Sequence, residues 1–62
     1  MEKNFILPPV LTALDIQNFL NISKGKAYEL FKEDGFPTII IGGNKRVYRE
    51  EFLNWIDSKK IN

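Results

Sequence analysis

Apolar residues recur at helical spacing in three stretches of this chain, and two short β-branched or aromatic runs lie between the second and third. Ala13, Ile16, Phe19 and Leu20 make one stripe at three- and four-residue intervals. Thr12 ahead of them is a hydroxyl residue suited to capping the free amides of a helix start. Asp15, three residues on, completes a shortened capping box, and Leu11 and Ile16 stand at the N′ and N4 positions of a hydrophobic staple. The spacing predicts a first helix near Thr12 to Leu20. Asn21-Ile22-Ser23 interrupts it, and Ser23 is a good N-cap for a second helix, to about Asp34, whose apolar positions are Ala27, Leu30 and Phe31. With Gly35 at C′ in left-handed geometry, Phe36 falls at C″ and Phe31 at C3, the pair that touches in a Schellman motif. Pro37 prevents any continuation.

Thr38 to Ile41 and Arg46 to Arg49 flank Gly42-Gly43-Asn44-Lys45, which reads as a hairpin with a four-residue tip. Ile39 and Ile41 fall on one face of its first strand and Ile40 on the other. A third helix is predicted from Glu50 to Lys59, with acids at its positive end, Lys59 and Lys60 at its negative end, and Phe52, Trp55 and Ile56 inward. Trp55 reads as a core anchor. Residues 1–10 show no helical period, and Pro8-Pro9 forbids helix at Leu7 and Pro8, so they are expected to form an extended arm whose Phe5, Ile6 and Leu7 cover part of the core. The expected organisation is that arm followed by one α+β domain over residues 11–62.

Composition narrows what such a domain can do. The chain has 62 residues, 44% of them hydrophobic, and a mean hydropathy of −0.24. A chain this short hides only about 60% of the surface its unfolded form exposes, so function is expected on the outside. It has no cysteine and no histidine, which removes disulfides, thiolate nucleophiles, the commonest metal ligand and the commonest general base. The paired acids Glu33-Asp34 and Glu50-Glu51 sit at helix ends, where capping and dipole effects account for them. No enzymatic activity, cofactor or metal is expected. Apolar runs reach only three residues, against about 20 for a membrane span, and the N-terminus lacks the features of a secretory signal, so the chain reads as cytoplasmic.

The formal net charge is only +1, but it is polarised. Residues 23–49 carry Lys24, Lys26, Lys32, Lys45, Arg46 and Arg49 against Glu29, Glu33 and Asp34. The remainder carries Lys3, Lys59 and Lys60 against five carboxylates. One basic face is the footprint of a phosphate-binding surface, and it is also what accidental clustering on a solvated surface produces.

Two helices on a three-residue connection form a helix-turn-helix unit, and a glycine-tipped basic hairpin after them is the layout of a wing. The stretch LTALDIQNFLNISKGKAYELF, followed by GFPTIIIGGNKRVYREEFLNWI, resembles the small winged-helix proteins of the excisionase and MerR-like superfamily of bacteria and their mobile elements. The resemblance covers residues 11–56 and is carried by Ser23, Ala27, Tyr28 and Leu30, by Phe36-Pro37, by Gly42 and Arg46, and by Arg49 with Trp55. It implies sequence-specific binding of double-stranded DNA, in a protein that bends DNA near an attachment site so that a site-specific recombinase assembles for excision. A small transcriptional regulator of the same fold is the alternative, and a module docking its apolar arm and hairpin on another protein is the alternative of a different class. Lys26 stands where such proteins often carry a small or hydroxyl residue, and Glu29 where a polar or basic one is usual, so no base preference is implied.

The candidate DNA-binding residues are Ser23, Lys24, Gly25, Lys26, Tyr28, Glu29 and Lys32 on the second helix, and Gly43, Asn44, Lys45, Arg46 and Arg49 on the hairpin. Lys24 reaches guanine O6/N7 or a phosphate, and Glu29 accepts from cytosine N4. Ser23 is a cap, and with the first helical amides it also forms an anion site. Tyr28 reads either as an edge of the core or as a backbone contact through its hydroxyl. The hairpin cations suit phosphate or minor-groove contact, discourage edge pairing of an isoleucine-rich strand, or brace Glu50 and Glu51. With no heptad-length helix to serve as a dimerisation coil, the expected state is a monomer that assembles cooperatively on DNA.

Overall fold

Thr12 starts the first helix as its side chain requires: its Oγ1 accepts from the Asp15 amide at 3.2 Å, and the Asp15 carboxylate accepts from the Thr12 amide at 2.9 Å. In the computed structural model, which describes residues 7–61, this capping box opens α1 (Ala13–Leu20). α1 ends at Asn21, whose φ of 57° and ψ of 48° are left-handed. Asn is among the few side chains that tolerate this conformation. The sharp change of direction delivers Ser23, whose Oγ accepts from the Lys26 amide at 3.2 Å and caps α2 (Lys24–Leu30).

α2 is shorter than the spacing suggested. Beyond Leu30 the chain continues in tighter i to i+3 turns, with the amides of Phe31, Lys32 and Glu33 donating to the carbonyls of Tyr28, Glu29 and Leu30. The Schellman closure does not form either. The Phe31 carbonyl that it would use accepts from the Thr38 hydroxyl at 3.0 Å, and the Phe36 amide donates to Glu33 instead. The expected ring contact survives, with Phe31 and Phe36 edge to face at 5.3 Å, and Gly35 does take a positive φ of 88°.

A hairpin follows, formed by β2 (Ile39–Ile41) and β3 (Asn44–Tyr48). Its tip is two residues rather than four: Ile41 pairs with Asn44 and Ile40 with Lys45, leaving only Gly42 and Gly43 in the turn. Both glycines have positive φ, 58° and 83°, the requirement of the two-residue turn that matches strand twist. The arm contributes what the sequence pattern did not show, a two-residue strand β1 (Val10–Leu11) antiparallel to β3. The sheet order is β1-β3-β2. Phe5 and Ile6 lie outside the described residues, whereas Leu7 packs against the core.

α3 (Arg49–Asp57) closes the chain. The four largest fully buried side chains come from four different elements: Leu11 of β1, Ile16 of α1, Val47 of β3 and Phe52 of α3. Phe52 is the centre, its ring meeting Phe19 at 5.9 Å and Phe36 at 6.3 Å. Trp55 is half-buried at the margin of this cluster rather than its anchor, edge to face with Phe36 at 4.9 Å and covered on one side by the Lys59 ammonium. Its position three residues after Phe52 turns it toward the rim of the core. The architecture is three helices with a small antiparallel sheet, a winged helix-turn-helix of the α+β class.

Candidate nucleic-acid interface

The turn at Asn21 sets α2 across the start of α1, and the β1–β3 pairing brings the hairpin back to the same side. Between them lies a cleft of about 510 Å³, walled by Thr12, Ala13 and Leu14 of the α1 start, by Tyr28 and Phe31, and by Gly43 to Arg46 of the hairpin. It continues into a smaller hollow of about 290 Å³, where Lys24 and Gln17 join Leu14 and Tyr28. The combined lining carries three cations, Lys24, Lys45 and Arg46, and no carboxylate. Leu14 and Tyr28 form the ridge shared by both hollows and are 62% and 54% exposed.

These cations are available to a ligand. Among the described residues the ion pairs are Lys59 with Glu33 at 3.7 Å and Lys60 with Asp57 at 3.3 Å, both away from the cleft. Lys24 and Lys45 are exposed, and Arg46 is half-buried with its Nη1 donating to the Lys45 carbonyl at 2.8 Å. Positive charge without carboxylates, beside flat and apolar side chains, suits a sugar-phosphate strand.

The structure divides the sequence-derived set. Lys24, Tyr28, Gly43, Asn44, Lys45 and Arg46 gather around the cleft. Gly25, Glu29 and Lys32 lie on exposed positions of α2 and the turn after it. Lys26 and Glu29 also line a separate groove on the other flank of α2, with Leu20, Ile22, Leu30 and Trp55. Ser23 serves as the α2 cap through its hydroxyl. Arg49 stands apart: its Nη1 donates to the Leu7 carbonyl at 2.8 Å and its amide to the Pro9 carbonyl at 2.9 Å, so it binds the arm and does not brace Glu50 or Glu51. Thr12, Leu14 and Gln17 join the cleft from α1 and were missed by reading α2 and the hairpin alone. Leu14 carried a signal, being the leucine of α1 that falls off the Ala13, Ile16, Phe19 and Leu20 stripe.

No helix among the described residues is long and apolar enough to cross a membrane. The family model of the helix-turn-helix domain matches residues 10–60, nearly the whole chain, and the chain belongs to that family of DNA-binding domains. No curated protein and no solved structure matches it. With its fold, its acid-free basic cleft and its family together, the chain is a sequence-specific DNA-binding protein.

Proposed function

We propose that this helix-turn-helix protein is an excisionase-type architectural factor, which grips one strand of the duplex in the cleft between α2 and the hairpin and holds the DNA bent for a site-specific recombinase. In this reading α2 enters the major groove, presenting Gly25, Glu29 and Lys32 to base edges, while the Gly42-Gly43 tip with Asn44 enters the adjacent minor groove. The strand between the two grooves lies in the cleft, with its phosphates toward Lys24, Lys45 and Arg46. The chain does no chemistry and holds no cofactor; the recombinase breaks and rejoins the DNA.

The observation that carries this reading is the two-sided cleft itself. A recognition helix alone docks on straight DNA, whereas a helix and a rigid hairpin tip fixed on either side of one strand impose the spacing of two neighbouring grooves. A duplex that adapts to that spacing is deformed, at a cost of order 1–6 kcal/mol repaid by the extra contacts.

The test is selection of bound fragments from genomic DNA, followed by circular-permutation gel mobility on the sites recovered. Repeated sites beside an attachment junction, with mobility that depends on site position, are the expected result. Sites confined to promoters, or mobility independent of position, would replace this reading with a transcriptional regulator of the same fold.

A further inference from the structure

The hairpin ends in a turn that carries no side chain. Gly42 and Gly43 make the whole connection between β2 and β3, so the tip is bare backbone, thin enough for a groove only about 6 Å wide. The first side chains behind it are one cross-strand pair, Ile41 and Asn44, both exposed. Asn44 is of the type that reads hydrogen-bond acceptors on the floor of the minor groove. Ile41 can bind neither phosphate nor an acceptor, yet it stands 54% exposed at the same level of the tip. The segment from Gly35 to Asn44 contains no charge, and the cations of the hairpin begin one position further back, at Lys45 opposite Ile40. Isoleucine is stiff at χ1, and the pairing of β2 with β3 fixes its backbone, so the side chain is held in place before any ligand arrives.

We infer that Ile41 is the wedge by which this protein bends its DNA: with the tip in the minor groove, the isoleucine enters between two stacked base pairs, parts them and kinks the duplex toward the major groove. The inference rests on the docking proposed above and names the side chain that supplies the bend. An apolar residue beside an amide, behind a tip without side chains, is the combination that such entry requires: backbone to pass between the strands, asparagine for the base edges, isoleucine for the gap between steps.

A preference among sequences follows without any hydrogen bond to a base. The step that is parted is a flexible pyrimidine–purine one, TA or CA/TG, because unstacking costs least there. Ile40 supplies an internal comparison. It is 66% exposed, more than Ile41, but it lies one position further from the tip and on the opposite face of β2, so it stays outside the stack.

Permanganate reads the wedge directly, since it oxidises thymines that have lost their stacking, and every TA or CA/TG step holds a thymine on one strand or the other. Genomic fragments selected by the parent protein are footprinted with this reagent and run in the circular-permutation gel. The parent is expected to make one such step reactive within each bound site, on fragments whose mobility depends on site position. Ile41→Thr keeps the β-branch that suits a strand; it is expected to retain the salt slope of the parent, because no phosphate contact is lost, while thymine reactivity returns to that of free duplex and the positional dependence of mobility disappears. Ile41→Phe, another wedge-forming side chain, and Ile40→Thr are each expected to keep both signals. Reactive thymines in the Ile41→Thr complex would overturn the inference, as would their loss with Ile41→Phe or Ile40→Thr. Two outcomes with the parent protein alone separate this inference from the reading beneath it: fragments that are bent without a reactive step bring down the wedge only, whereas fragments that are not bent bring down the architectural reading and the wedge together.

Discussion

Arg49 and Leu7 are 42 positions apart in sequence and joined by a 2.8 Å hydrogen bond, from the first residue of α3 to a carbonyl of the arm. The Arg49 amide also holds Pro9. A hairpin cation that looked available for DNA is thereby committed to holding β1 in place. Arg49→Ala is expected to destabilise the domain by about 1.5–3 kcal/mol, the range for a hydrogen bond from a charged donor, with partial recovery in Arg49→Lys. Urea denaturation of the three proteins checks this; unchanged midpoints would show that the arm is held without the guanidinium.

Phe52 should dominate the core. Phe52→Ala is expected to cost roughly 3–5 kcal/mol, comparable to the whole stability of so small a domain, and to abolish the cooperative transition in circular dichroism. Trp55→Ala is expected to cost less, about 1–2 kcal/mol, because its half-buried ring leaves a notch at the rim and not an internal cavity. A Trp55 variant more damaged than the Phe52 variant would reverse the assignment of the core's centre.

The two helix starts were readable because capping is local chemistry: Thr12 with Asp15, and Ser23 with the Lys26 amide, lie within four residues of each other. The third strand was not, since Val10 and Leu11 carry no alternation to distinguish them and their partners, Tyr48 and Val47, are far along the chain. The hairpin tip was read two residues too long because polar Asn44 and Lys45 look like loop, while the paired positive-φ glycines already satisfy the turn. The same distinction divides the candidate site. Lys24, Tyr28, Lys45 and Arg46 follow from local pattern, whereas the place of Leu14 in the cleft and of Arg49 on the arm depends on tertiary packing.

Lys45→Ala and Lys24→Ala are each expected to weaken binding to duplexes of every sequence and to lower the salt slope by about 1, the signature of one lost phosphate contact. Glu29→Gln should instead alter relative preference among sequences with little change in slope. Titrations at three salt concentrations on several duplexes distinguish these; a change of preference in the lysine variants would move Lys24 or Lys45 from phosphate to base.

Leu14 offers a test of the cleft free of folding effects, because it is largely exposed. Leu14→Glu places a carboxylate where the lining has none, and should lower DNA affinity about tenfold or more while stability moves by less than about 0.5 kcal/mol. Full affinity in a folded Leu14→Glu protein would show that no strand enters between α1 and the hairpin.

The turn residues can be examined by melting. A Cβ on Gly43 would touch nothing within 4 Å, so only its backbone conformation opposes substitution. Gly43→Ala is expected to cost about 1–2 kcal/mol, and Gly43→Asn less, since asparagine tolerates a positive φ better than alanine does. Equal melting temperatures for the two variants would argue that the tip relaxes into a longer loop.

The pairing of Val10 with Tyr48 encloses both helices of the motif and the hairpin's first strand in a single loop of chain. Helices α1 and α2 and the hairpin each form from neighbours in sequence, at small entropic cost, while β1 must be recruited across most of the polypeptide. Closure of that loop is the slow, non-local event in building the domain, and the hairpin has no fixed bearing on α2 until it happens. A chain shortened to begin at Thr12 would therefore retain every residue of the helix-turn-helix and still lack the rigid angle between helix and wing on which reading a groove depends.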